Sequence, residues 1–103
     1  MIETQKTIIN WARSTFGEAS SCVRVAARAN EEMAELLRAL TADFIDSAKA
    51  AEEAADVVIV LFRVAELCGR DLLEEVDRKM NINRARKWKL SGDGHGYHVK
   101  TEG

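Results

Sequence analysis

The chain of 103 residues has no proline, and its six glycines are confined to position 17, position 69 and the stretch from Gly92 onward. With both strong helix breakers missing from most of the sequence, helix is favoured wherever apolar periodicity permits it. No apolar run approaches the length of a membrane span and no basic-then-apolar leader opens the chain, so no membrane partner is expected and a cytoplasmic location is. Only two cysteines occur, Cys22 and Cys68; they lack metal-ligand spacing and read as reduced core residues on apolar helical stripes. Neither sign of charge dominates, and a formal net charge of -2 gives no whole-chain pull toward nucleic acid or acidic lipid. Both histidines, His95 and His98, lie in the tail, which removes the Glu-x-x-His pairs that a di-iron carboxylate bundle requires.

What is present is a chain 47% hydrophobic and 31% charged, ordinary for one soluble globular domain spanning 1–103. The patterning predicts an all-α fold of four helices, over about 3–15, 20–40, 47–68 and 71–88, followed by a glycine-rich tail over 91–103 with no strand signal. On the second helix Cys22, Val25, Ala26, Ala29, Met33, Leu36, Leu37 and Leu40 share one face. Asp43, Asp46 and Ser47 are cap candidates before the third helix, and Gly69 suits a left-handed cap after it. Asp71 and Glu74 stand in capping-box spacing at the start of the fourth. The third helix is apolar nearly all round: Ala51, Ala54, Ala55, Val58, Leu61, Phe62 and Ala65 form one face, with Val57, Val60 and Val64 almost opposite. A helix covered on two sides in so small a protein predicts a homodimer or homotetramer.

Within that helix the stretch AADVVIVLF, Ala54 to Phe62, sets Asp56 among eight apolar residues in a segment expected to be buried. A buried carboxylate costs several kcal/mol unless something compensates it. Glu53 and Asp56 are three apart, and Glu32 and Glu35 repeat that spacing on the second helix. A short connection makes the two helices antiparallel, so the four acids converge; a hard divalent cation such as Mg2+, with Mn2+ as a substitute, relieves their repulsion. Ion pairing is the competing reading, since Arg28 precedes Glu32 and Lys49 precedes Glu53 by four residues.

The segment RKMNINRARKWK, Arg78 to Lys89, is a basic run with one tryptophan. Lys79, Asn83 and Arg86 fall at helical i, i+4 and i+7, a polar stripe suited to phosphate oxygens. A solvated helix end is the bland alternative, and a nucleic-acid contact the other functional one. Beside an acidic cluster a metal-bound polyphosphate fits better than a phosphodiester backbone, so a nucleic-acid partner is disfavoured.

Together EMAE (Glu32 to Glu35), EAAD (Glu53 to Asp56), KMNINRARKW and GDGHGYHV resemble the MazG-like family of all-α nucleoside triphosphate pyrophosphohydrolases, in its phage-type branch. The likeness covers nearly the whole chain and keeps the family's order. It implies Mg-dependent hydrolysis of a nucleoside triphosphate, by expectation a deoxynucleotide, to the monophosphate and pyrophosphate, in nucleotide-pool control. By position it implies Glu32, Glu35, Glu53 and Asp56 as metal ligands, with one of these or Glu31 activating water. Lys79, Asn83 and Arg86 would hold phosphate or sugar oxygens, and Lys49 is a further phosphate candidate. Trp11, Phe16, Trp88 and Tyr97 are the candidates for stacking on the base, each competing with a core or interface role. Related dUTPase-like, dCTPase-like or phosphoribosyl-ATP pyrophosphohydrolases are the neighbouring possibilities, and a non-catalytic helical partner protein the distant one.

Overall fold

The computed structural model describes residues 2–99. Four helices form, as expected: α1 Gln5–Phe16, α2 Cys22–Leu40, α3 Ser47–Leu67 and α4 Leu72–Ala85, followed by two short strands, β1 Lys87–Leu90 and β2 Gly96–Val99. The chain divides into two compact units, Met1–Leu72 and Leu73–Gly103.

In the first unit each helix starts on a side-chain cap. Thr4 and Thr7 form a reciprocal capping box on α1, Ser21 accepts from Arg24 N–H at 3.3 Å, and Asp46 accepts from Lys49 N–H at 3.2 Å. α3 ends in a Schellman turn: Gly69, at φ 71°, donates to Glu66 O while Arg70 N–H reaches back to Ala65 O. The buried apolar residues are Ile9, Ala12, Val25, Ala50, Val57, Phe62 and Ala65. α2 and α3 pack as a helical hairpin across residues 41–46, and α1 lies against α3. Among the described residues no helix is long and apolar enough to cross a membrane.

Several expectations need correction. The α3 faces are mixed rather than opposed: Val57 is buried with Phe62 and Ala65, whereas Val58 and Leu61 are exposed. Asp56 is exposed, because one chain covers only part of this apolar helix. Cys22 is half-buried and Cys68 exposed, so neither is a core residue. In the second unit α4 stops at Ala85, short of Trp88, and the tail forms a strand pair instead of lacking structure.

That pair is antiparallel, with Lys87 opposite Val99, Trp88 opposite His98, Lys89 opposite Tyr97 and Leu90 opposite Gly96. Gly92 and Gly94, at φ 90° and 89°, make the connection, and Asp93 accepts from His95 N–H at 3.2 Å. Trp88 Nε1 donates to Asn83 O at 2.8 Å, drawing the strand back onto the last turn of α4. The final four residues of the expected tail lie outside the described residues.

Candidate metal-carboxylate site

Glu32 stands eight residues before the end of α2, and Glu53 and Asp56 six and nine after the start of α3. In an antiparallel hairpin these positions are level, and the consequence is a triad: carboxylate oxygens of Glu32, Glu53 and Asp56 all lie within 4.8 Å of one another. Glu53 is buried, Glu32 half-buried and Asp56 exposed, so the cluster opens from the helix interface toward solvent.

Both anticipated ion pairs form. Arg28 donates to Glu32 at 3.3 Å and to Glu31 at 3.1 Å, and Lys49 Nζ lies 2.9 Å from Glu53. The hydrogen bond to Glu53 and then the charge of Glu53 push the Lys49 ammonium above its ordinary range, with Glu52 and Asp56 adding to it against the opposing effect of desolvation. Asp56 has no ion-pair partner among the described residues. Glu35 lies outside the triad and is held by Arg38 at 2.7 Å. An all-oxygen, triply acidic donor set with one buried member suits a hard divalent cation.

Beside the triad is a cavity of about 400 Å³ lined by Glu32 and Asp56, by Trp11 and Phe16, by Ile59 and Val60, and by Arg28 and Arg63. The Trp11 and Phe16 rings meet edge to face, with centroids 5.4 Å apart at 86°. The structure therefore brings two of the candidate stacking residues next to two of the candidate metal ligands. Gly17, at φ 79°, turns the chain immediately after Phe16. Arg63, whose Cζ is 5.5 Å from the Phe16 centroid, was not singled out by sequence reasoning. Its signal was available: a basic residue seven positions after Asp56 on the same face of one helix.

The remaining candidates lie in the second unit. Lys79 and Asn83 are on α4, but Arg86 falls beyond its end, so the helical stripe is cut short by one residue. Asn83 Oδ1 is buried without a hydrogen-bond partner. Trp88 is tilted against His98 at 6.0 Å, and Tyr97 is exposed on the other strand.

No family profile matches the chain. Two curated relatives do, both named dATP/dGTP diphosphohydrolase. One, from Salmonella phage PMBT28, is 37% identical over 97 residues, 94% of this chain; the other, from Cyanophage S-2L, is 36% identical over 69 residues, 67% of this chain. The aligned segments span 31% and 60% of the lengths of these relatives. Among solved structures, a Cyanophage S-2L MazG-like pyrophosphohydrolase, bound to dGDP and three catalytic Mn2+ ions per active site, superposes with a TM-score of 0.74 at 28% identity, covering 95% of this chain and 91% of that one. Likeness in sequence, likeness in fold and the placement of the acids agree, and together they support a phage-type MazG-like family for the chain.

Proposed function

We propose that this chain is a hydrolase that cleaves a deoxynucleoside triphosphate to the monophosphate and pyrophosphate with the help of Mg2+ or Mn2+, in control of the nucleotide pool. The observation that carries the reading is the triad of Glu32, Glu53 and Asp56 beside a cavity with two aromatic rings. The names of the relatives point to purine substrates, and the metal and nucleotide in the S-2L structure support a metal-dependent reaction at the corresponding fold.

Glu32, Glu53 and Asp56 would hold the first ion. Glu35, one turn from Glu32, completes the set when it releases Arg38; a site for several ions needs more oxygens than three carboxylates offer. Ions bound there supply charge neutralisation at the triphosphate and make water more acidic. Glu31 or Glu35 takes the proton of the attacking water, each freed by movement of an exposed arginine partner. Lys49, already beside Glu53, can turn its ammonium to a phosphate oxygen once a cation replaces it. Lys79 and Arg86 offer further donors to phosphate, whereas the unpartnered Asn83 Oδ1 is an acceptor and suits a sugar hydroxyl. Trp11 and Phe16 are the preferred stacking surface, with Trp88 and Tyr97 as secondary candidates.

The chain works as a single domain over 1–103, in the cytoplasm, as a homodimer or homotetramer. The exposed row Met33, Leu37 and Leu40 on α2, together with Val58 and Leu61 on α3, supports association, since no large side chain among the described residues is fully buried in one copy. Sedimentation at micromolar protein should give a mass above that of one chain.

The deciding assay is pyrophosphate release from a panel of the eight common nucleotides with Mg2+ or Mn2+. Turnover should require the metal and fall at least 100-fold in Glu32→Gln and Asp56→Asn, of the order expected when metal-mediated charge stabilisation is lost. Salt-sensitive DNA binding without turnover would instead identify a nucleic-acid-binding helical protein.

A further inference from the structure

We propose that Arg63 determines base specificity, its guanidinium reading the O6/N7 edge of a guanine stacked in the cavity beside the carboxylate triad; this rests on the hydrolase reading above. Arg63 is half-buried, lines the cavity and lies over the Phe16 ring with Cζ 5.5 Å from its centroid. It has no carboxylate within ion-pair distance among the described residues, although acids are plentiful on the neighbouring turns. A guanidinium held by an aromatic face keeps its in-plane N–H groups available to a ligand.

The order of groups along α3 matches a nucleotide laid lengthwise. Asp56 and Arg63 are seven residues apart, two turns or about 10 Å along the helix axis. Ile59 and Val60 lie between them and line the same cavity. Carboxylate, apolar patch and donor fork thus succeed one another as metal-bound phosphate, sugar and base edge would require. Trp11 and Phe16 supply the stacking surface at the same end as the fork.

The chemistry selects the base. An arginine fork has donors only, and guanine presents two acceptors, O6 and N7, to match it. Adenine keeps N7 but replaces O6 with an amino donor, so one N–H of Arg63 faces another donor. The competing role for Arg63 is a phosphate clamp, because it also lines an adjoining groove with Arg24 and Arg28. A clamp would treat all bases alike.

The test compares kcat/KM for dGTP, dATP and 7-deaza-dGTP in the wild-type chain, R63M and R63K, with circular dichroism to check folding. The wild type should favour dGTP over dATP by roughly tenfold or more, and should lose part of that preference with 7-deaza-dGTP. R63M should bring the dGTP/dATP ratio close to one, with R63K in between. If R63M does not fold, R63K decides: a ratio at least threefold below wild type supports the assignment, and an unchanged one overturns it. A wild type that favours dATP or ignores the loss of N7, or an R63M that loses both purines equally, also overturns it. A wild type that turns over no nucleotide brings down the hydrolase reading first.

Discussion

Gln5 and Leu72 are joined by a 2.8 Å hydrogen bond from the Leu72 N–H to Gln5 Oε1, closing the first unit end to end. The same buried amide donates to Arg70 O at 2.8 Å and to Glu66 at 3.0 Å. One side chain thus fastens the start of α1 to the segment leaving α3. Gln5→Leu would strand a backbone donor and acceptor and should cost about 1–3 kcal/mol. The urea midpoint measures it; an unchanged midpoint would show that water replaces the amide freely.

Asp56→Asn should lower activity without lowering stability. Asp56 is exposed and has no ion-pair partner among the described residues, and its neighbours Glu32 and Glu53 repel it in the metal-free protein. Removing its charge should leave the metal-free melting temperature unchanged or slightly raised, while turnover falls at least 100-fold. Scanning calorimetry and pyrophosphate release measure the two; full activity in the variant would remove Asp56 from the metal set.

The Cys22 thiol holds its proton above the usual range, first through desolvation and then through neighbouring Cys68. A folded-state pKa above the unfolded value of about 8.5 favours folding fully below that pH. The contribution is lost as pH rises through the folded value. Stability should therefore decline above about pH 8.5, and Cys22→Ala should flatten that part of the curve. At pH 8 Cys22 should react with iodoacetamide more slowly than free glutathione, and mass spectrometry of the labelled peptide reads the rate.

The hairpin has a single tight point. A side chain at Gly96 would place Cβ 2.8 Å from Lys89 O, a backbone atom with little room to yield. Gly96→Ala should open the strand pair and part Trp88 from His98, with faster tryptic cleavage after Lys87 or Lys89. Equal cleavage rates in the two proteins would show that the strands accommodate the methyl group.

Sequence patterning located α1 and α3 because their ends are chemically marked: Gly17, Asp46 and Gly69 each stop or start a helix where expected, while α2 starts two residues later than expected, on the Ser21 cap. It placed Glu32, Glu53 and Asp56 together because register in a helical hairpin follows from a short connection. It failed where the signal is tertiary. The basic run stays helix-compatible through Trp88, and only the indole bond to Asn83 O and the turn at Gly92 and Gly94 select a strand pair. The glycines that suggested a loose tail are the residues such a turn needs. Gln5 was illegible for another reason: it acts through Glu66, Arg70 and Leu72, all remote in sequence, and no local spacing announces it.

Lys49 gives the acidic cluster a resident cation of its own, held 2.9 Å from Glu53. The three-helix unit therefore need not await a metal in order to fold, unlike small zinc domains whose apo chains are unstructured. As a metal-dependent hydrolase it would then mature in ion-poor surroundings and stay silent there. On the reading proposed above, loading would exchange one positive charge for another at a finished site, and the onset of catalysis would follow the local supply of divalent ion and not the rate of chain maturation.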